Sequence, residues 1–111
     1  MNKVLELIES AIQFIKKIFR RIINGILNFT RDVILWFQEA FLDQNKHVPF
    51  IADTNKIKDL LKTAPVKNVG IFKGVYNQQT DEIERNELIE ADNLDQQTKS
   101  IIGNETLVVL N

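Results

Sequence analysis

The 111-residue chain reads as an α+β protein: a long amphipathic helix over residues 1–42, a linker over 43–49, and a small α+β unit over 50–111. Three observations predict this class. The first 42 residues carry an apolar repeat with the 3.6-residue period of a helix. Residues 69–91 switch to strand composition broken once by a turn. Short helical stretches bounded by capping and terminating residues lie on either side of that hairpin. The composition, 44% apolar and 26% charged, is that of a folded chain and excludes general disorder.

On a helical projection the N-terminal segment gathers Phe14, Ile15, Ile18, Phe19, Ile22, Ile26, Phe29, Trp36 and Phe37 on one side. Lys16, Lys17, Arg20, Arg21 and Arg31 gather on the other. The phase runs through Asn24-Gly25, so one continuous helix is favoured over a hairpin turning there, an isolated glycine costing about 1 kcal/mol in a helix interior. Such a helix would be about 60 Å long, against a body of about 25 to 30 Å for the remaining residues. Its apolar face therefore needs a covering. Further copies of the chain in a helical bundle, an anionic membrane surface and the groove of another protein are the three candidates. A monomer whose hairpin folds back on its own domain would need none.

Texture changes at DQNKHVPF, residues 43–50, where Pro49 removes a backbone donor and a linker is expected. Asp53 then stands as N-cap to a helix ended by Pro65, with Ile57, Leu60 and Leu61 inward. VGIFKGVY at 69–76 and EIERNELIEA at 82–91 form an antiparallel hairpin. Its inward residues are Ile71, Val75, Ile83 and either Leu88 or Ile89. Asp92 or Asn93 caps a second helix terminated by Gly103, and TLVVLN is an uninterrupted apolar strand expected at the centre of a sheet. With HVPFIA as a further strand, the order from residue 47 is βαββαβ, which resembles a miniature ferredoxin-like unit.

Charge is unevenly spread beneath a net value of −1: Ser10 to Arg31 holds five basic residues and no acid, whereas Gln78 to Asp95 holds seven acids against Arg85. Glu82, Glu84, Glu87 and Glu90 are thus read as an acidic binding surface, and Lys16, Lys17, Arg20, Arg21 and Arg31 as a surface for an anionic partner. Catalysis is not expected. There is no cysteine, the four glycines match neither phosphate-loop nor dinucleotide spacing, and His47 is read as an exposed linker residue. Asp53-Thr-Asn55 lacks the glycine and closing glutamate of a calcium loop, so neither metal nor cofactor is expected. Nucleic acid is disfavoured by the acidic balance and by an apolar face that needs a protein or lipid neighbour. Glu6 and Glu9 interrupt the apolar start, so no signal peptide is expected and the protein is assigned to the cytoplasm or its membrane periphery. The function this supports is a non-catalytic, self-assembling scaffold or adaptor. Peripheral membrane binding and an antitoxin or immunity-type role are the alternatives.

Overall fold

The computed structural model describes residues 3–15, 18–40 and 42–110. It is α+β: helices lie on both faces of a five-stranded mixed sheet. Helix α1 (Lys3–Gln13) precedes strand β1 (Arg21–Leu27), then a π-helical turn over Phe29–Ile34 that runs into α2 (Leu35–Gln38). Strand β2 (His47–Asp53), α3 (Thr54–Leu61), β3 (Val69–Asn77), β4 (Glu82–Leu94), α4 (Gln96–Ile102) and β5 (Leu107–Val109) complete the chain. The sheet order is β1-β4-β3-β2-β5, with β1 parallel to β4 and every other pair antiparallel.

The continuous helix over 1–42 is not formed. It stops at Gln13, and Arg21–Leu27 becomes a sheet strand. Three β-branched isoleucines beside Asn24-Gly25 make this heptapeptide a poor helix and a good strand. The long edge of β4 supplies a ladder, with Ile22 beside Ile89 and Asn24 beside Ala91. Asn24-Gly25 is consequently neither helix interior nor turn. The molecule measures 36 × 28 × 27 Å, leaving no room for a 60 Å projection.

Two cores result. On one face α1 and α3 bring Ile8, Ile12 and Ile57 onto Phe50, Phe72, Tyr76 and Leu88. On the other, Phe29, Val33 and Ile102 cover Ile51, Ile71 and Ile89. This resolves the choice between Leu88 and Ile89: both are buried, on opposite faces, because the sheet is covered twice. Gly74 is fixed by that packing. A Cβ there would lie 2.5 Å from Phe50 Cζ, so the Phe50 ring occupies the space a side chain would take.

Local signals acted largely as read. Asp53 accepts the Asn55 N–H at 3.0 Å to cap α3, and Gly103 with positive φ ends α4. The helix α3 ends sooner than Pro65, at Lys62 in the left-handed region. The cap of α4 is Asp95, not Asp92 or Asn93. One Asp95 carboxylate oxygen receives the Thr98 N–H and the other the Phe29 N–H, so it caps α4 and also binds the first N–H of the π-helical turn, whose own cap is Asn28. His47 opens β2, which shortens the expected linker. Strand β5 lies at the sheet edge, not its centre, and is three residues long. The order βαββαβ from His47 holds, but β2 and β3 lie side by side antiparallel, unlike the parallel helix-linked strands of a split βαβ unit.

Candidate functional site

Among the described residues, four polar clusters and two apolar features are places where chemistry or binding could reside. The first cluster lies under the α2 face of the sheet. Lys73 is 1% exposed, and its Nζ donates to Glu87 Oε1 at 2.6 Å and to the Asp32 carbonyl at 2.5 Å. That Nζ also lies 4.6 Å from the centroid of Trp36, whose ring stacks at the same distance on the Arg85 guanidinium. Burial pulls the Lys73 amine below its ordinary value, while Glu87 opposes that shift. The amine is enclosed by a carboxylate, a carbonyl and an aromatic ring. This arrangement anchors the π-helical turn and α2 to the sheet and offers no open position to a substrate.

The second cluster centres on Glu90, 2% exposed, on the opposite face. It receives Arg21 Nε at 2.5 Å and the N–H groups of Val66 at 2.5 Å and Lys67 at 3.1 Å. Burial alone would raise this carboxyl; the Arg21 guanidinium and the two backbone donors hold it below the usual value. Arg21 continues to the Ala64 carbonyl at 2.6 Å, so the pair ties β1, β4 and the segment before β3 together. A third cluster joins His47 Nε2 to Glu84 Oε2 at 2.9 Å, while Nδ1 accepts the Asp43 N–H at 2.9 Å. Both ring nitrogens are occupied. Asn77 donates to the other Glu84 oxygen, and this bond first, with His47 after it, keeps the Glu84 carboxyl low. In the fourth, Arg31 is engaged by Asp32 at 2.8 Å. Among the described residues no three histidine, aspartate or glutamate side chains converge as metal ligands.

These contacts break up the acidic surface expected from the sequence and engage two members of the basic one. Glu87 and Glu90 are buried on opposite faces of β4 in separate ion pairs, Glu84 is bound to His47 and Asn77, and only Glu82 stands as an exposed acid without such contacts. They form no common acidic surface, because the two faces of β4 point in opposite directions. Of the basic set, Arg21 bonds the buried Glu90, Arg31 bonds the neighbouring Asp32 with its own side chain exposed, and Arg20 is exposed, while Lys16 and Lys17 lie outside the described residues.

The apolar set divides as well. Phe29 is buried, and Ile15, Ile18, Ile22, Trp36 and Phe37 are half-buried. Phe14 remains 76% exposed, Phe19 77%, Ile26 61% and Ile23 44%. These four cluster along residues 14–26, leading into and along β1. Strand β1 is also the sheet's terminal strand, and no described strand pairs with its outer side. The Arg20 carbonyl accepts the Leu88 N–H at 2.9 Å, and Ile22 is in register with Ile89. In a ladder of this phase the backbone groups of Ile22 face β4, and those of Arg21 and Ile23 face outward; beyond Asn24 the phase changes, the Leu27 carbonyl accepting the Asp95 N–H at 2.9 Å and the Ile26 carbonyl accepting from Arg31 Nη2 at 2.9 Å. An apolar, hydrogen-bonding edge is thereby presented to the surroundings.

A second apolar feature is an open concavity of about 550 Å³ beside β5, lined by residues such as Phe37, Pro49, Ile101 and Val109 and, among the described residues, by no titratable side chain. No helix among the described residues is long and apolar enough to cross a membrane. The β1 edge and the Lys73 anchor were both missed from sequence. The signals were the β-branched run beside Asn24-Gly25 and a lysine set in the otherwise apolar VGIFKGVY.

The chain matches no protein-family model, no curated protein and no solved structure with which it was compared.

Proposed function

We propose that the protein is a non-catalytic, self-assembling adaptor whose association surface is the outer edge of β1, in place of the helical face expected from the sequence. The observation that carries this reading is the coincidence of exposed Ile23 with outward-facing backbone groups at Arg21 and Ile23 on a terminal strand, whose Ile26 carbonyl further along is taken by Arg31 Nη2 at 2.9 Å. Natural edge strands are commonly blunted by lysine, proline, bulges or a covering element. None of the residues Arg21–Leu27 is lysine or proline, and the charge of Arg21 is taken up by Glu90. Strand addition is the recognition mode that such an edge suits, with backbone hydrogen bonds for affinity and alternate side chains for selection. The closed polar clusters support the non-catalytic part of the reading.

A second reading has its own observation. Phe14 and Phe19 project further than any other described aromatic residue, with exposed Arg20 beside them, which suits an anionic lipid surface. Light scattering of wild type, Ile23→Lys/Ile26→Lys and Phe14→Ser/Phe19→Ser, together with flotation on anionic vesicles, separates the two. An associated wild type whose association weakens about tenfold or more in the lysine variant is expected, since several cross-strand pairs are lost at once in a symmetric contact. The serine variant should remain associated. Flotation lost on Phe14→Ser/Phe19→Ser would favour the membrane reading, and a wild type that neither associates nor floats would overturn both.

A further inference from the structure

We infer that His47 is a pH-operated latch: neutral, it holds the turn over residues 43–46 beside β4, and on taking up a proton it lets go of the turn while keeping its hold on Glu84. The tautomer follows from the partners. Nδ1 lies 2.9 Å from the Asp43 backbone nitrogen, and a backbone N–H can only donate, so Nδ1 is the bare nitrogen. The ring proton therefore sits on Nε2 and is donated to Glu84 Oε2 at 2.9 Å. His47 is the chain's one histidine, and it stands where the segment after α2 enters the sheet. Its side chain is 13% exposed and that of Glu84 42%, so water reaches the pair.

An irregularity in the register of β4 puts the carboxylate there. The pairing of β3 with β4 shifts between Val75 and Tyr76, where Arg85 and Ile83 have register partners and Glu84 has none. The extra residue of a bulge is left out of the ladder and its side chain is re-aimed. Glu84 accordingly reaches His47 with one oxygen and the Asn77 amide with the other. Asn77, in register with His47 on β3, also accepts the N–H groups of Gln79 and Thr80, so the hairpin turn shares the network. On the other side the Asp43 carbonyl accepts the Lys46 and His47 N–H groups, at 3.1 and 2.7 Å, and an Asp43 carboxylate oxygen accepts the Asn45 N–H. The charged groups around the ring are thus Glu84 from β4 and Asp43 and Lys46 from the turn, while Asn77 from β3 and Gln44, Pro49 and Leu110 bring no charge. A proton added at Nδ1 sets donor against donor at Asp43 and costs that bond. At Nε2 the same proton turns a hydrogen bond from a neutral ring into an ion pair with Glu84. Leu42, next to the turn, lines both a recess at His47 and the concavity beside β5, so release of the turn reaches the wall of that concavity.

Nuclear magnetic resonance of the intact chain, labelled with nitrogen-15 and carbon-13 and titrated from about pH 8 to about pH 5 across histidine's ordinary range, tests the latch. At the upper end the imidazole signals should show Nδ1 bare and Nε2 protonated. As pH falls, the Asp43 amide and Leu42 methyl signals should move with the same midpoint as the imidazole. Protection of the Asp43 amide, corrected for its intrinsic exchange rate, should drop about tenfold, as befits the loss of one hydrogen bond. His47→Asn keeps an acceptor near the place of Nδ1 but cannot take up a proton, so in that variant both signals should stay flat over the same range. A ring protonated on Nδ1 at about pH 8, an Asp43 amide that stays put while His47 titrates, or one that titrates equally in a folded His47→Asn variant would each overturn the latch. The first two results need no variant, and none of the three depends on whether the chain self-associates.

Discussion

Replacing Glu87 with alanine is expected to destabilise the fold by about 3 to 5 kcal/mol, the cost of leaving a buried charge without its partner. Lys73 is 1% exposed, and with Glu87 gone its ammonium group would keep only the Asp32 carbonyl and the Trp36 ring. Domains of this size have about 5 to 15 kcal/mol in total, so the urea midpoint should fall steeply. The double variant Lys73→Met/Glu87→Leu should recover most of the loss, since well-packed apolar residues commonly replace a buried ion pair at little cost. Burial already draws the Lys73 pKa below 10.5. The unfolded chain therefore holds that proton more tightly, and the deficit of the single variant should shrink as pH rises toward 10. A single variant within about 0.5 kcal/mol of wild type would contradict the burial of the pair.

Glu90→Ala is expected to cost about 3 kcal/mol, since it strips a buried acceptor from Arg21 Nε and from the N–H groups of Val66 and Lys67 at once. The effect should not be uniform across the molecule. Arg21 opens β1, so the amides of Ile22 and Asn24 should exchange faster in the variant, while those of the β2–β3 pair change less. Because the Glu90 carboxyl is held below the ordinary glutamate value of 4.5, its contribution is present above about pH 4.5 and disappears as pH falls through the lower, folded-state value. Glu90→Gln should accordingly flatten the acid side of the stability profile. An unchanged profile would show that Glu90 does not stabilise the fold through its charge.

The C-terminal half was legible because its signals are local. Asp53 caps α3, Gly103 ends α4, and the hairpin at 69–91 has strand composition on both sides of NQQTD. What failed was long-range. Ile22, Ile23, Ile26 and Phe29 satisfy a helical repeat, yet the same spacing serves a strand followed by a helical turn, and the choice is made by an edge of β4 more than 60 residues further along the chain. The acidic run misled for a related reason. Glu87 and Glu90 look solvated in sequence, and only the antiparallel register that sets Glu87 beside Lys73, and the approach of Arg21, shows each to be an internal partner. The position of β5, expected at the centre and found at the edge, also depends on pairing, which a short apolar run does not encode.

The central claim, that the outer edge of β1 is covered by another strand when the protein assembles, is tested most directly by amide hydrogen exchange along Arg21–Leu27 at low and high protein concentration. The Asn24 amide, turned toward β4, should be protected at both. The Arg21 and Ile23 amides, turned outward, should exchange quickly at low concentration and become protected as association proceeds. Rapid exchange at Arg21 and Ile23 under conditions where light scattering shows the protein to be associated would contradict the claim and place the contact elsewhere.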